Sequence, residues 1–299
     1  TPKPSSAASD VYKRQILPLA VIFDLMEPIQ LAISGVYGRM GQALIQALET
    51  STEDFSLVAA LSHCGGKQVN SQQVILNHRP ITIENSLEAL LRKQKVEVLI
   101  DFTQPLGTLE YLPLCEQHHI AFVIGTTGFK EDQKQAIIKA TKTIPIVFAP
   151  NFSVGVNLSF ALTALTAQIL SDNYDVEIIE AHHKHKVDAP SGTALALAEA
   201  VAKARHSTLE KIAVYCREGQ LEPRQKGTIG FASIRAGDIV GEHTVMFASE
   251  GERLEITHKA SNRLTFAKGA LQAAAWLKEK EPGLYLSLIH ISEPTRQAE

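Results

Sequence analysis

The sequence predicts an α/β protein with a doubly wound parallel sheet in its first part and a separate mixed sheet in its second. Up to Asn151, short apolar runs alternate with amphipathic segments of helical length, as in a parallel sheet covered by helices on both faces. After Asn151 the later apolar runs have no comparable helices between them, which indicates a mixed or antiparallel sheet. With 299 residues, 45% of them hydrophobic, the chain is long enough for two domains with buried cores.

The elements follow in a consistent order along the first part. The segment 28–34 predicts a strand, 42–48 a helix and 56–61 a second strand, so the chain opens with a β-turn-α-β unit. Further strands are predicted at 98–101, 121–125 and 144–149, with helices at 107–118 and 131–142. We therefore place a dinucleotide-binding type of domain at 26–153.

The second part begins with a long helical run at 156–170 and a strand at 176–179. Three later strands are predicted at 228–234, 242–248 and 253–258. These elements form the predicted second domain, 154–262. The amphipathic helix at 263–278 is expected to return to the first domain, which gives a third segment at 263–285.

Both ends of the chain are left out of the predicted fold. Segments 5–15 and 286–296 resemble translated sequencing-adapter sequence, so we assign 1–25 and 286–299 as non-native or untranslated flanks. Met26 is the expected natural start, and the natural C-terminus is expected to be missing beyond about Tyr285.

Composition excludes several classes of protein. The net charge of -3 argues against nucleic acid as a partner. Three distant cysteines without metal-ligand spacing fit a reducing cytoplasm. We see no stretch approaching the roughly 20 apolar residues of a membrane span, and we expect no membrane association.

A glycine-rich turn lies between the first strand and the first helix. Gly35, Gly38 and Gly41 recur every three residues, where glycine lets the backbone turn tightly and approach a pyrophosphate at the helix N-terminus. The alternative is a tight turn that binds no ligand. The loops 125–128 and 149–152 also follow strands, and they could line the nicotinamide half of a site or be ordinary loops.

The end of the second strand bears on the choice of dinucleotide. An NAD site usually has Asp or Glu there, but this chain has Ser62 and His63, with Lys67 further on. With no carboxylate at these positions to repel a 2′-phosphate, we favour NADPH over NADH. His63 or Lys67 as a phosphate contact is a hypothesis.

The most informative segment is 180–193. It places three histidines and two lysines between His182 and Lys186, directly after an apolar strand. Like charges at short range repel, so this cluster indicates an anionic ligand. Ser191 or Thr193 is placed to cap the following helix, whose N-terminus also favours anions. The alternative is a solvated basic turn.

These motifs, taken together and in this order, resemble those of one known enzyme family. Segments 38–41, 101–103, 125–129, 151–157 and 180–193 closely resemble the 4-hydroxy-tetrahydrodipicolinate (dihydrodipicolinate) reductase family of the diaminopimelate–lysine pathway. Segments 227–231, 235–243 and 255–260 extend the resemblance, which covers about 28–285. It implies a Rossmann-type cofactor domain, a mixed α/β domain for substrate binding and tetramerisation, and a homotetramer.

The resemblance also assigns roles to residues. His182 is similar to the family's general acid–base residue, Lys186 to its proton donor, and His183, Gly192 and Thr193 to its substrate contacts. The implied cofactor contacts, together with the pair at the end of the second strand, are Gly35, Val36, Tyr37, Gly38, Arg39, Met40, Ser62, His63, Gly125, Thr126, Thr127, Ala149, Pro150, Asn151 and Phe152. The Ser62–His63 pair departs from the family's commoner acidic–basic pair. The implied substrate is a small cyclic dicarboxylate, reduced with NADPH or NADH.

Two other functions remain open from the residues alone. If His182 and His183 are both on a strand, they should point to opposite faces, while His183 and His185 would share one, as in some zinc sites. That spacing makes a metal-dependent hydrolase the main alternative, although no third ligand is evident nearby. A non-catalytic NAD(P)-binding redox sensor is the other alternative. We interpret Arg235, Asp238 and His243 as structural residues outside the site.

Overall fold

A computed structural model describes residues 27–62, 73–219 and 222–286. The predictions for His63, Lys67 and Met26 and for the two flanks, apart from Leu286, therefore lie outside the described residues. The strands are β1 Ile29–Ser34, β2 Phe55–Leu61, β3 Gln73–Leu76, β4 Arg79–Glu84, β5 Val98–Asp101, β6 Ala121–Ile124, β7 Pro145–Phe148, β8 Asp175–His182, β9 Ala213–Val214, β10 Ile229–Arg235, β11 Gly241–Ser249, β12 Glu252–Ala260 and β13 Gly283–Tyr285. The helices are α1 Arg39–Leu48, α2 Leu87–Leu91, α3 Pro105–His118, α4 Glu131–Ala140, α5 Val154–Leu170, α6 Gly192–Ala204, α7 Leu209–Ile212 and α8 Leu264–Leu277.

The first sheet has eight strands in the order β13-β7-β6-β5-β1-β2-β4-β3. All of its neighbouring strands run parallel except β3 and β4, which are antiparallel. The strand order reverses at β1, which lies between β2 and β5, and such a reversal opens a crevice at the carboxyl ends of the strands. The predicted doubly wound fold is confirmed.

Strands β3, β4, β9 and β13 and the short helices α2 and α7 were not predicted from the sequence. The first two form a hairpin whose turn residues, Asn77 and His78, both have positive φ, as a two-residue hairpin turn requires. Their strands lie at the sheet edge and are largely exposed, so they lack the continuous apolar run that identifies the central strands.

Helices cover the first sheet on both faces. Helices α1 and α8 pack with β1, β5 and β6 in one apolar cluster, while α3 and α4 belong to the cluster on the opposite face. Buried small residues of α8, among them Ala267, Ala270 and Ala274, let this last helix lie close to the sheet. The end of the chain thus contributes to the same core as its beginning.

The second sheet has five strands in the order β12-β11-β8-β10-β9. Strand β8 is parallel to β10 and antiparallel to β11, so the sheet is mixed, as predicted. Helices α5 and α6 contribute to its apolar cluster. Central strand β8 ends at His182, which pairs in register with Arg235 of β10.

The expectation that no stretch of the chain approaches the length of a membrane span needs correction at helix α5. Within the described residues, the segment Val154–Asn173, with 20 residues and a mean hydropathy of 1.4, is long and apolar enough to cross a membrane. Uncharged polar residues interrupt its apolar positions, which is why a search for continuous apolar stretches overlooked it. Length and composition do not distinguish a span from a helix whose apolar side is covered by protein.

Candidate active site

The glycine turn after β1 has the geometry that a pyrophosphate needs. Gly35 has a φ of 65°, and a Cβ there would lie 2.7 Å from Thr103 Cγ2. At Gly41 a Cβ would lie 2.4 Å from the Gly35 carbonyl oxygen, so only glycine lets α1 begin this close to the turn. Gly38 caps α1 without a side-chain hydrogen bond, which leaves the first N–H groups of the helix for a ligand. These residues fit a dinucleotide.

A buried carboxylate organises the loops beside this turn. Asp101, at the end of β5, is fully buried and accepts hydrogen bonds from four hydroxyl groups. Thr103 donates at 2.7 Å and Thr126 at 2.9 Å, and Ser34 and Thr108 are the other two donors. Because these residues come from the ends of β1, β5 and β6 and from α3, Asp101 holds three loops of the crevice together.

The residues implied as cofactor contacts fall into a buried group and a more exposed group. Val36, Thr126, Ala149 and Phe152 have buried side chains, so they can meet a ligand mainly through their backbones. The residues that are at least partly exposed are Gly35, Tyr37, Gly38, Arg39, Met40, Gly125, Thr127, Pro150 and Asn151. At Gly125 a Cβ would overlap the Phe102 ring, at 2.0 Å from one of its carbons. A side chain is therefore excluded there by packing.

Ser62 is buried at the end of β2, and its backbone N–H donates to the Glu84 carbonyl at 3.1 Å. Glu84 of β4 pairs with Leu61 at the end of β2. No role at the dinucleotide site was predicted for Glu84 from the sequence. Its carboxylate pairs with Lys93 at 2.8 Å, which balances its charge locally.

His182 belongs to a hydrogen-bonded chain with Glu180 and Arg235. Its Nδ1 lies 2.5 Å from Glu180 Oε2, and Arg235 donates to both Glu180 oxygens, at 2.9 and 2.7 Å. Residues 180 and 182 meet because side chains two apart share one face of a strand. Burial by itself would raise the pKa of Glu180, but hydrogen bonds from His182 and Arg235 outweigh it and hold that pKa at about 2. Glu180 is thus a buried, ionised carboxylate.

His183 lies beyond the end of β8, so the expectation that it shares the strand with His182 is wrong. Arg39 of the first domain donates to His183 Nε2 at 3.0 Å, which joins the glycine turn to the histidine segment. Burial lowers the pKa of His183, and the nearby Arg39 and Arg263 charges lower it further. A neutral imidazole is the form that accepts this hydrogen bond.

Lys186 lies in the turn after His183. Its Nζ is 2.8 Å from the Asp188 carboxylate, and the backbone carbonyl of Asp188 accepts a 2.6 Å hydrogen bond from Arg235. The pKa of Asp188 is lowered because the Lys186 pairing outweighs the effect of burial. Lys186 and His182 are therefore both connected, through different acidic residues, to Arg235.

Helix α6 begins at Gly192, directly after this segment. Ser191 is the cap, since its hydroxyl accepts a 3.3 Å hydrogen bond from the Ala194 N–H, and this decides between the two residues that the sequence offered. Thr193 Oγ1 instead accepts from Asn151 Nδ2 at 3.2 Å, a second link to the first domain. No described atom lies within 4 Å of the position a Gly192 Cβ would take, so there is room for a ligand at the helix start.

His243 on β11 completes the cluster. Its buried ring is 5.1 Å from the His182 ring, and its Nε2 is 3.1 Å from Ser191 Oγ. Burial, and next the His182 charge, lower its pKa to about 3, which keeps it neutral at ordinary pH. His243 and Arg235 were interpreted from the sequence as structural residues outside the site, and the structure places both in the cluster. Both fall in segment 235–243, whose family resemblance was the available signal.

The structure brings together a different set of possible metal ligands from the pair that the sequence suggested. Among the described residues, ligand atoms of Glu180, His182 and His243 lie within 4.8 Å of one another, whereas the rings of the predicted pair His183 and His185 are 6.3 Å apart. Both Glu180 oxygens already accept hydrogen bonds from Arg235, whose positive charge would repel a cation. This arrangement disfavours a metal at the cluster.

Comparison with known proteins agrees with this geometry. The family model described as "Dihydrodipicolinate reductase, N-terminus" matches residues 29–152, and the one described as "Dihydrodipicolinate reductase, C-terminus" matches residues 155–291. A solved dipicolinate-bound dihydrodipicolinate reductase from Paenisporosarcina sp. TG-14 is similar with 29% identity and a TM-score of 0.67, covering 89% of this chain and all of that one.

More distant structures share the fold alone. Aspartate semialdehyde dehydrogenase II from Vibrio cholerae has 10% identity and a TM-score of 0.52, covering 85% of this chain and 99% of that one. An amine dehydrogenase from Mycobacterium smegmatis has 9% identity and a TM-score of 0.51, with coverages of 86% and 94%.

Proposed function

The chain belongs to the dihydrodipicolinate reductase family and is an NAD(P)H-dependent oxidoreductase, and we propose that His182 and Lys186 carry the proton-transfer half of its reaction. It reduces 4-hydroxy-tetrahydrodipicolinate, by way of dihydrodipicolinate, to tetrahydrodipicolinate in diaminopimelate and lysine biosynthesis. The observation that carries the assignment of roles is that Arg235 bonds both to Glu180, which contacts the His182 imidazole, and to Asp188, which contacts the Lys186 ammonium group.

The first domain positions the cofactor. The turn at Gly35 and the uncapped start of α1 are suited to the pyrophosphate, and Asp101 holds the neighbouring loops in place. A bound nicotinamide cofactor supplies hydride, and the protein orients and shields the reacting groups. The exposed residues of the loops 125–128 and 149–152 are the proposed contacts on the nicotinamide side.

The start of α6 is the proposed site for one substrate carboxylate. Its free N–H groups at Gly192 and Thr193 favour an anion, and the space in front of Gly192 admits one. Asn151 fixes the Thr193 side chain, and His183 lies on the cleft side facing Arg39. This supports recognition of a small cyclic dicarboxylate.

His182 and Lys186 are proposed to complete the reduction. Once hydride has reached the ring of the conjugated imine, the enamine-like anion needs a proton at carbon. Histidine suits general acid catalysis near neutral pH. The Lys186 ammonium group is proposed to stabilise the developing negative charge and to deliver the proton.

Turnover tests the proposed function directly. NADPH or NADH oxidation would be followed at 340 nm while a dihydrodipicolinate synthase forms the substrate from pyruvate and aspartate semialdehyde. We expect loss of absorbance that depends on both precursors, and omission of pyruvate is the control. A folded protein that binds cofactor without turnover would contradict the proposal and favour the redox-sensor alternative.

For the cofactor we propose a preference for NADPH. Ser62 leaves the end of β2 without a carboxylate, and the nearby Glu84 carboxylate is paired with Lys93. A higher rate with NADPH than with NADH in the assay above would support this preference. If Lys67 contacts the 2′-phosphate, Lys67→Ala should lower the ratio of the two rates, and an unchanged ratio would exclude it.

We further propose a cytoplasmic homotetramer. Helix α5 exposes an apolar stripe at three- and four-residue spacing, formed by Val154, Leu158, Leu162, Leu165 and Ile169. Such a stripe is typical of a helix that packs against protein, and a further copy of this chain is the proposed occupant. Leu162→Glu should reduce the mass measured by light scattering, whereas Gln168→Glu on the same helix should not. Equal masses for the two variants would contradict this interface.

A further inference from the structure

One guanidinium group connects the supports of both proposed catalytic residues. Arg235 ends β10, where it pairs in register with His182, and its side chain is 18% exposed. It donates to both oxygens of Glu180, which holds His182, and to the backbone carbonyl of Asp188, whose carboxylate holds Lys186. His182 and Lys186 thus share a single anchor, although one ends a strand and the other lies in a turn.

The charge on Glu180 determines which nitrogen of His182 carries a proton. An ionised carboxylate only accepts hydrogen bonds, so His182 Nδ1, at 2.5 Å from Oε2, must be the donor. Nε2 is then the atom that can take or release a proton. A Cβ at Gly241 would lie 3.2 Å from Nε2, so glycine at this position keeps that edge of the ring open.

The groups around His182 are consistent with this role for Nε2. His243 packs edge to face against the ring and is neutral, since burial depresses its pKa to about 3. Other charged or titratable groups of the cluster include Glu180, Arg235, Lys186, His183 and His258. Glu180 is the neighbour in direct contact with Nδ1, so it decides the tautomer.

We infer that Glu180 and Arg235 are positioning residues: together they hold His182 with its proton on Nδ1 and fix Lys186 relative to it. This inference rests on the proposed roles of His182 and Lys186. A merely structural ion pair would only join neighbouring strands. The same strand β8 carries an ion pair away from the proposed site for comparison: Arg217, in the loop after β9, makes two 2.9 Å hydrogen bonds to Glu177.

The experiment compares these two pairs in the full chain. Glu180→Gln and Arg235→Ala should each lower kcat by about 10- to 100-fold, as loss of an orienting partner does, without weakening NADPH binding measured by fluorescence. Glu177→Gln and Arg217→Ala should keep the parent kcat. Added guanidinium ion at low concentration should restore part of the activity of Arg235→Ala, and Arg235→Lys should retain more activity than Arg235→Ala.

Equal kcat values for Glu180→Gln and the parent would overturn the inference, as would equal losses in both pairs. A second measurement needs no variant at either position. Nitrogen-15 NMR of the parent at alkaline pH, with the His182 signals assigned through His182→Asn, should show the proton on Nδ1. A proton on Nε2 would overturn the inference even if Glu180→Gln did not fold. An inactive parent would instead contradict the proposed function, whereas an active parent with a fully active Glu180→Gln would contradict only this inference.

Discussion

Two buried carboxylates, one in each sheet, are stabilised in different ways. Asp101 ends β5 of the first sheet and accepts hydrogen bonds from four hydroxyl groups. Glu180 lies on β8 of the second sheet and is held by a guanidinium and an imidazole. Both satisfy the requirement that a buried charge be fully hydrogen-bonded.

The difference lies in the chemistry of the donors. Hydroxyl groups keep their protons over the ordinary pH range, so Asp101 holds the loops of the crevice without exchanging protons with its partners. Glu180 instead contacts the His182 imidazole, a group whose ring nitrogens can act as a general acid or base. Asp101 therefore stabilises the loops around the proposed cofactor crevice. Glu180 instead orients His182, the residue proposed to transfer protons.

Removing the first carboxylate should have the largest effect. Asp101→Ala removes the shared acceptor of four hydroxyl groups, of which Ser34 and Thr108 keep only long bonds to backbone carbonyls, and we expect it to lower the free energy of unfolding by about 3 to 5 kcal/mol. Urea denaturation would measure this loss, with Asp54→Ala, an exposed position, as the control. A loss below about 1 kcal/mol would show that Asp101 is not the anchor of these loops.

In the second domain, substitution of a proposed catalytic residue should lower activity rather than stability. His182→Ala or Lys186→Ala should lower turnover about 100-fold or more, because the proton donor or its supporting charge is lost. Both variants should remain folded and bind NADPH, and Lys184→Ala is the matched control from the same segment. Near-normal turnover in either variant would remove that residue from its assigned role.

The depressed pKa of Glu180 predicts how stability depends on pH. Its folded pKa of about 2 lies below its ordinary value of 4.5, so its contribution is present above pH 4.5 and is lost as the pH falls toward 2. This contribution is on the order of 2 to 3 kcal/mol. Unfolding free energies measured between pH 5 and 2 should fall less steeply for Glu180→Gln, and parallel curves would contradict the assignment.

The smallest effect is expected at Gly241. An added Cβ would lie 3.2 Å from His182 Nε2, so the imidazole must move by a few tenths of an ångström. Gly241→Ala should lower kcat by about three- to tenfold and change the unfolding free energy by less than about 1 kcal/mol. Gly283→Ala, whose Cβ would make only ordinary contacts at 3.4 Å, is the control for rate. The same kcat for both variants would mean that space beside Nε2 is not needed.

Much of the site was predictable because its signals are local. The spacing of the glycines at 35, 38 and 41 predicts the turn. The proximity of the cations between His182 and Lys186 predicts an anion site. Ser191 as a helix cap is similarly a matter of neighbouring residues. The short exposed strands β3 and β4 were missed because partial burial produces no clear pattern.

The sequence by itself determined the alternation of strands and helices in the first part, the glycine turn and the histidine segment, since each depends on residues close together in the chain. Only the tertiary structure decided the partners of the two carboxylates. Arg235 is 55 residues from Glu180, and Ser34 is 67 residues from Asp101. The reason is physical: strand register selects which distant side chains meet, and register follows from the packing of whole sheets rather than from any single segment.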